Sequence, residues 1–109
     1  LTVKNYEIIR QYADLFYFAK YYYNYYSILL YNTHHPLFQN PMVRRALTHA
    51  INREYIVRDI LNGMAEVVAG PVEDRSAWHD PKLEPLAYDP YLALEYLKKA
   101  GWTLIRNTW

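Results

Sequence analysis

Four histidines, eleven carboxylates, three tryptophans and thirteen tyrosines are the side chains with which this chain could do chemistry. The histidines do not make a metal site. His34 and His35 are adjacent and in an extended segment point to opposite sides. Adding His49, His79, Asp74 and Asp80 gives a scattered set without the HxxxH-type spacing that brings ligands onto one face, so these histidines read as solvated or capping groups and no metal is expected. Nucleophilic chemistry is equally unsupported. Ser27 and Ser76 lie in no nucleophile-elbow context, and Gly63, Gly70 and Gly101, the only glycines, form no phosphate-cradling loop. Glu84 and Asp89 are spaced like turn and cap residues. The chain reads as a non-enzyme with no cofactor.

Binding is the chemistry left. Arg44, Arg45, Arg53 and Arg58 fall on two successive predicted helices, but Asn52 is a one-residue joint, where a helix-turn-helix needs a turn of about three or four. Glu54 and Asp59 further dilute the positive charge, so nucleic acid is not an expected partner. Trp78 is the stronger ligand-side candidate, an aromatic on a proline-rich loop that neighbouring elements would hold in place. Tyr31 and Asn32 end a predicted strand just before a turn, where cleft-facing residues often lie; the competing role for Asn32 is a local turn hydrogen bond. Seven tyrosines crowd between Tyr17 and Tyr31 (Tyr17, Tyr21, Tyr22, Tyr23, Tyr25, Tyr26, Tyr31) and read as sheet and core packing rather than ligand stacking.

The elements that must position these residues are written in the local grammar. Val3 to Ile9 and Tyr25 to Asn32 are predicted strands. The second is apolar on both faces, as in a strand covered on both sides. Gln11 to Tyr23 fits helix or strand, and Thr33 to Phe38 is a turn around Pro36. Asn40 then caps a helix with Pro41 at its first position. Its stripe is Val43, Ala46, Leu47, Ala50 and Ile51, with Arg44, Arg45, Thr48 and His49 opposite. Asn52 caps a second helix with the stripe Ile56, Val57, Ile60 and Leu61 and an outer Glu54–Arg58 pair, closed by Asn62-Gly63. Residues 64–88 form a proline-rich loop, long enough to be functional or pinned. Asp89-Pro90 opens a last helix over 89–101, with Leu92, Ala93, Tyr96, Leu97 and Ala100 inward, a Glu95–Lys99 pair, and Gly101 at its end. Trp102 to Ile105 is a further predicted strand.

Composition bounds the class. Hydrophobic residues are 52% and charged residues 21% of 109, as expected for one globular domain burying roughly two thirds of its unfolded surface. Twelve basic against eleven acidic residues leave a net charge of +1, with no basic bias toward nucleic acid or membranes. There is no cysteine, hence no disulfide or thiolate chemistry. No apolar run reaches the roughly 18 residues of a membrane span. The start at Leu1, without a targeting segment, suggests a piece of a longer protein.

Residues 29 to 102 carry a recognisable order of motifs. These are Tyr31-Asn32, Pro36-Leu37-Phe38, Val43-Arg44-Arg45-Ala46-Leu47, Ala50-Ile51-Asn52-Arg53, Ile56, Leu61-Asn62-Gly63-Met64-Ala65, Gly70-Pro71-Val72, and Tyr88-Asp89-Pro90 running to Ala93, Leu97 and Lys99-Ala100-Gly101-Trp102. In this order they resemble the extracellular solute-binding proteins of family 5, the peptide- and nickel-type components of ABC importers. Asn52 and Asn40 stand where the family usually has aspartate, and both keep the cap role. Residues 1 to 24 match the pattern poorly, and the resemblance is not carried over them. The resemblance implies an α/β chain, a mixed α+β fragment of the C-terminal lobe of a two-lobed, type II periplasmic-binding-protein-like fold. It also implies a peptide or other small solute bound in the interlobe cleft, delivery to a permease, and a place at the periplasmic or extracellular face of a bacterial membrane. Most of the family's ligand contacts would then lie outside this chain, and an exposed lobe face would favour self-association. Two other readings compete: the sensor domain of a transcriptional regulator with the same fold, and an unrelated small interaction domain.

Overall fold

The computed structural model describes residues 3–19, 21 and 25–105. Tyr22 and Tyr23 of the tyrosine run lie outside them. The described elements are helical: α1 (Val3–Arg10), a 3₁₀ turn (Ala13–Leu15), α2 (Pro36–Gln39), α3 (Pro41–His49), α4 (Arg53–Tyr55), continuing as a π-turn over Ile56–Ile60, and α5 (Pro90–Lys99).

Four helix starts share one device. The side chains of His35, Asn40, Asn52 and Asp89 accept hydrogen bonds from the backbone N–H groups of Leu37, Met42, Tyr55 and Leu92, at 3.3, 2.9, 2.8 and 2.9 Å. Each satisfies a donor that the first turn leaves free. In three of them proline follows the cap at the first helical position, where its missing N–H costs nothing. The end of α5 is equally defined. Gly101 (φ 89°) is left-handed, its N–H donates to the Lys98 carbonyl at 3.0 Å, and the Trp102 N–H donates to that of Leu97 at 3.0 Å. This is the Schellman pairing.

The core is the seam between α3 and α5, where Val43, Ala46 and Ala93 are buried. Both alanines are small enough to be buried at this seam. The buried face of α3 is Val43, Ala46 and His49, spaced i, i+3, i+6, with Leu47 half-buried and Ala50 exposed. The stripe is therefore rotated from the expected one, and His49, expected on the outer face, turns inward. The cause is that α5 covers only one flank of α3.

Several sequence expectations are corrected. Val3 to Ile9 is helical, and no strand occurs among the described residues, so an α/β character is not visible in them. Residues 25 to 32 carry no helix or strand assignment, and 25–30 are exposed. A strand exists only by pairing with another, so β-propensity alone cannot make one. Residues 102–105 are likewise unpaired. The turn at Thr33 to Phe38 contains the short helix α2. In the second helix Ile56 and Ile60 are exposed and only Val57 and Leu61 half-buried. There the Leu61 N–H reaches back five residues to the Ile56 carbonyl at 2.9 Å. The wider π-turn breaks the four-residue spacing, and Arg58 pairs with Asp59 at 2.7 Å rather than with Glu54. Lys99 lies 6.0 Å from the Tyr96 ring centroid rather than on Glu95.

The whole is loosely closed. Its accessible surface is 9954 Å², against about 6,400 Å² for a compact monomer of this mass and about 19,000 Å² for the extended chain. It thus buries about half of its unfolded surface, not two thirds. The radius of gyration is 18.6 Å, where a compact chain of this length has about 13 Å. No helix is long and apolar enough to cross a membrane among the described residues.

Candidate functional site

The proline-rich loop leaves the π-turn through two left-handed residues, Asn62 (φ 48°) and Gly63 (φ 69°). It is built from successive local turns. The Ser76 N–H donates to the Glu73 carbonyl (2.8 Å), the His79 N–H to Ser76 (3.0 Å) and the Leu83 N–H to Asp80 (3.0 Å). The Ser76 hydroxyl accepts from the Trp78 N–H at 3.2 Å, and the Asp80 carboxylate from the Lys82 N–H at 3.0 Å. Serine and aspartate side chains thereby fix the backbone without a sheet or helix.

These turns enclose a small cleft of about 170 Å³ between Gly70-Pro71-Val72 on one side and Trp78, His79, Asp80 and Leu83 on the other. Its walls are mainly apolar. A side chain at Gly70 would meet Leu83 Cδ2 at 3.6 Å, an ordinary contact, so that wall is closed but not tight. The His79 Nδ1 lies 3.5 Å from Asp74 Oδ1. The Trp78 indole is 89% exposed, an aromatic presented to whatever approaches the loop.

The far end of the loop is fastened to the helices. His49, 7% exposed, donates from Nδ1 to the Ala87 carbonyl at 2.7 Å, and its ring stacks on Tyr96 with centroids 5.8 Å apart and planes at 15°. Arg53 donates from Nη2 to the Leu86 carbonyl. The Asp89 N–H closes the set, donating to the His49 carbonyl at 2.9 Å.

Tyr31 and Asn32 stand apart from the Trp78 cleft and do not line it. The Asn32 side chain accepts from the His34 N–H at 3.1 Å, and its carbonyl accepts from the His35 N–H at 3.0 Å, a local turn. The Tyr31 ring packs on Phe38 at 5.4 Å, with His35 5.8 Å from the same ring. The Tyr31 hydroxyl is buried without a hydrogen-bond partner. Arg44 holds this corner by donating to the Phe38 and Gln39 carbonyls at 2.6 and 3.0 Å. The site residues missed in the sequence are therefore His49 and Arg53, whose 38- and 33-residue reach leaves no local signal. Elsewhere, Tyr6, Glu7, Arg10, Val57, Arg58, Asn62 and Gly63 line an open groove of about 610 Å³. It is crossed by a Glu7–Asn62 hydrogen bond of 2.6 Å. No group of three metal-ligating side chains occurs among the described residues.

Residues 2–108 match the family described as bacterial extracellular solute-binding proteins, family 5 Middle, and the chain belongs to it. The family is one of binding proteins, not enzymes. Among curated relatives, the chain is 40% identical over 65 residues to the glutathione-binding protein GsiB of Pectobacterium atrosepticum, 43% to that of Escherichia coli and 42% to that of Salmonella choleraesuis. Each alignment covers 60% of this chain and 12% of the relative. No solved structure gives a significant match.

Proposed function

We propose that this chain is a segment of the second lobe of an ABC importer's solute-binding component. It would form a partial α/β domain of type II architecture, in which residues 25–32 complete a sheet with strands from elsewhere in the parent protein. The domain runs from the tyrosine-rich region 1–32 through the helix pair 40–63 and the loop 64–88 to the helix 89–101. The solute is a small peptide or peptide-like molecule of the glutathione class. It lies in the cleft between two lobes and is handed to a membrane permease at the periplasmic or extracellular face.

The observation that carries this reading is the 40–43% identity to three glutathione-binding proteins within a family match covering nearly the whole chain. Glutathione is itself a tripeptide, so a peptide-binding scaffold suits it. Closure of two lobes on such a solute needs differential affinity for the closed state. The proposed contact from this segment is the exposed Trp78, an aromatic anchor on a pinned loop. The Tyr31–Asn32 corner is a second proposed contact.

Calorimetric titration of the full-length protein containing this segment, with glutathione and with unmodified di- and tripeptides, tests the reading. Saturable one-to-one binding of at least one of these is expected. Absence of heat with all of them would overturn it.

A further inference from the structure

The loop bearing Trp78 is fastened at its far end by side chains that touch nothing in the cleft. His49 and Arg53 sit at the end of α3 and the start of α4, yet both spend their donors on consecutive carbonyls of the loop's last turn, Ala87 and Leu86. Neither bond serves its own helix. His49 is the buried polar residue among those described, and its Nδ1–H must be present to donate, which fixes the tautomer. An arginine donor to a carbonyl is charge-assisted and among the stronger hydrogen bonds. Three residues before Leu86, Leu83 forms one wall of the cleft that Trp78 and Val72 complete. The backbone turns between Glu73 and Leu83 join the stretch to itself.

We infer that His49 and Arg53 are positioning residues: a two-point latch that holds the Trp78 loop at a set distance from the α3–α5 layer and so sets solute affinity without touching solute. This rests on Trp78 being a solute contact. Loss of the latch leaves the local turns intact but lets the loop pivot about its entry at Asn62-Gly63, so that binding must first re-order it.

The test is a double-mutant cycle in the full-length protein, with glutathione as probe and with the Trp78 indole N–H resonance as a direct reporter of loop position. Arg53→Ala is expected to weaken binding about three- to tenfold, the cost of re-ordering a loop and its side chains, and to shift the Trp78 resonance in the absence of ligand. Arg53→Lys, which keeps one charged donor, is expected to recover part of both. Because Arg53 acts through Trp78, the Arg53→Ala/Trp78→Ala double variant is expected to bind no worse than Trp78→Ala alone. Simple additivity, or an unmoved Trp78 resonance in a folded Arg53→Ala or His49→Gln protein, would overturn the latch. If Trp78→Ala binds as wild type, the contact under the proposed function fails. The affinity role then fails with it, and the resonance decides only the mechanical part: a shift shows that Arg53 and His49 hold the loop, and no shift overturns that as well.

Discussion

Replacing Val43 by alanine tests the seam on which the helices depend. Val43 is 3% exposed and is buried with Ala46 and Ala93 in the α3–α5 seam. The change removes two methyl-sized groups, worth about 1.5 kcal/mol in transfer free energy at about 0.8 kcal/mol each. Incomplete collapse around the void adds to that. A loss of about 2 kcal/mol is therefore expected, near the low end of the range because a seam of only two helices can partly close over the void. At a urea slope of about 1–3 kcal/mol/M, the midpoint of denaturation should fall by about 1 M. Circular dichroism at the helix minimum follows the transition. Leu30→Ala is the matched control. Leu30 is 79% exposed in the 109-residue chain, so in that chain an equal or larger carbon deletion there should leave the midpoint within about 0.3 M. If Val43→Ala leaves the midpoint in place, or Leu30→Ala lowers it as much, the α3–α5 seam is not the stabilising core and the assignment of the buried face is wrong.

Other expectations follow from single contacts. Asp89→Ala removes the cap bond to Leu92 and should cost about 1 kcal/mol in chemical denaturation, whereas Asp89→Asn should cost little. Gly101→Ala should destabilise by about 1 kcal/mol although its added methyl meets nothing within 4 Å, since the penalty lies in the left-handed φ; a neutral result would show that the Schellman turn does not hold in solution. Trp78→Ala should leave the melting temperature unchanged, because the indole is exposed, while weakening solute binding by the full-length protein. The 109-residue chain alone should bind peptides weakly or not at all, with half the cleft supplied elsewhere; submicromolar affinity in calorimetry would contradict the proposed architecture.

What was legible in the sequence was what is local. Asn40-Pro41, Asn52 and Asp89-Pro90 announce helix starts because a cap's hydrogen bond closes within two or three residues, and Gly63 and Gly101 announce exits because only a left-handed residue turns there cheaply. The family resemblance rested on the same punctuation. What was not legible depends on distant partners. Val3 to Ile9 and Tyr25 to Asn32 have strand-like composition, but a strand is a property of a pair, and no partner strand occurs among the described residues. His49 looked solvent-facing because the helix period was centred on Leu47. Which flank α5 would cover could not be read from α3, nor could the 38-residue span to Ala87. Trp78 was singled out for its type and its loop. The latch that fixes the loop's far end is visible only in three dimensions.

The four side-chain caps at helix starts have a consequence for inheritance. A helix whose beginning is fixed by its own cap does not borrow its register from the preceding connection. Residues can then be gained or lost between Gly63 and Asp89, or before His35, without shifting which side chains of the next helix meet the seam. Length changes are thereby expected to be tolerated in the connections, while Val43, Ala46 and Ala93 stay in phase. The cost is borne by the loop's last turn, because His49 and Arg53 grip backbone carbonyls rather than side chains. Substitution at Leu86 or Ala87 is then nearly free, but a one-residue deletion there would break both grips at once.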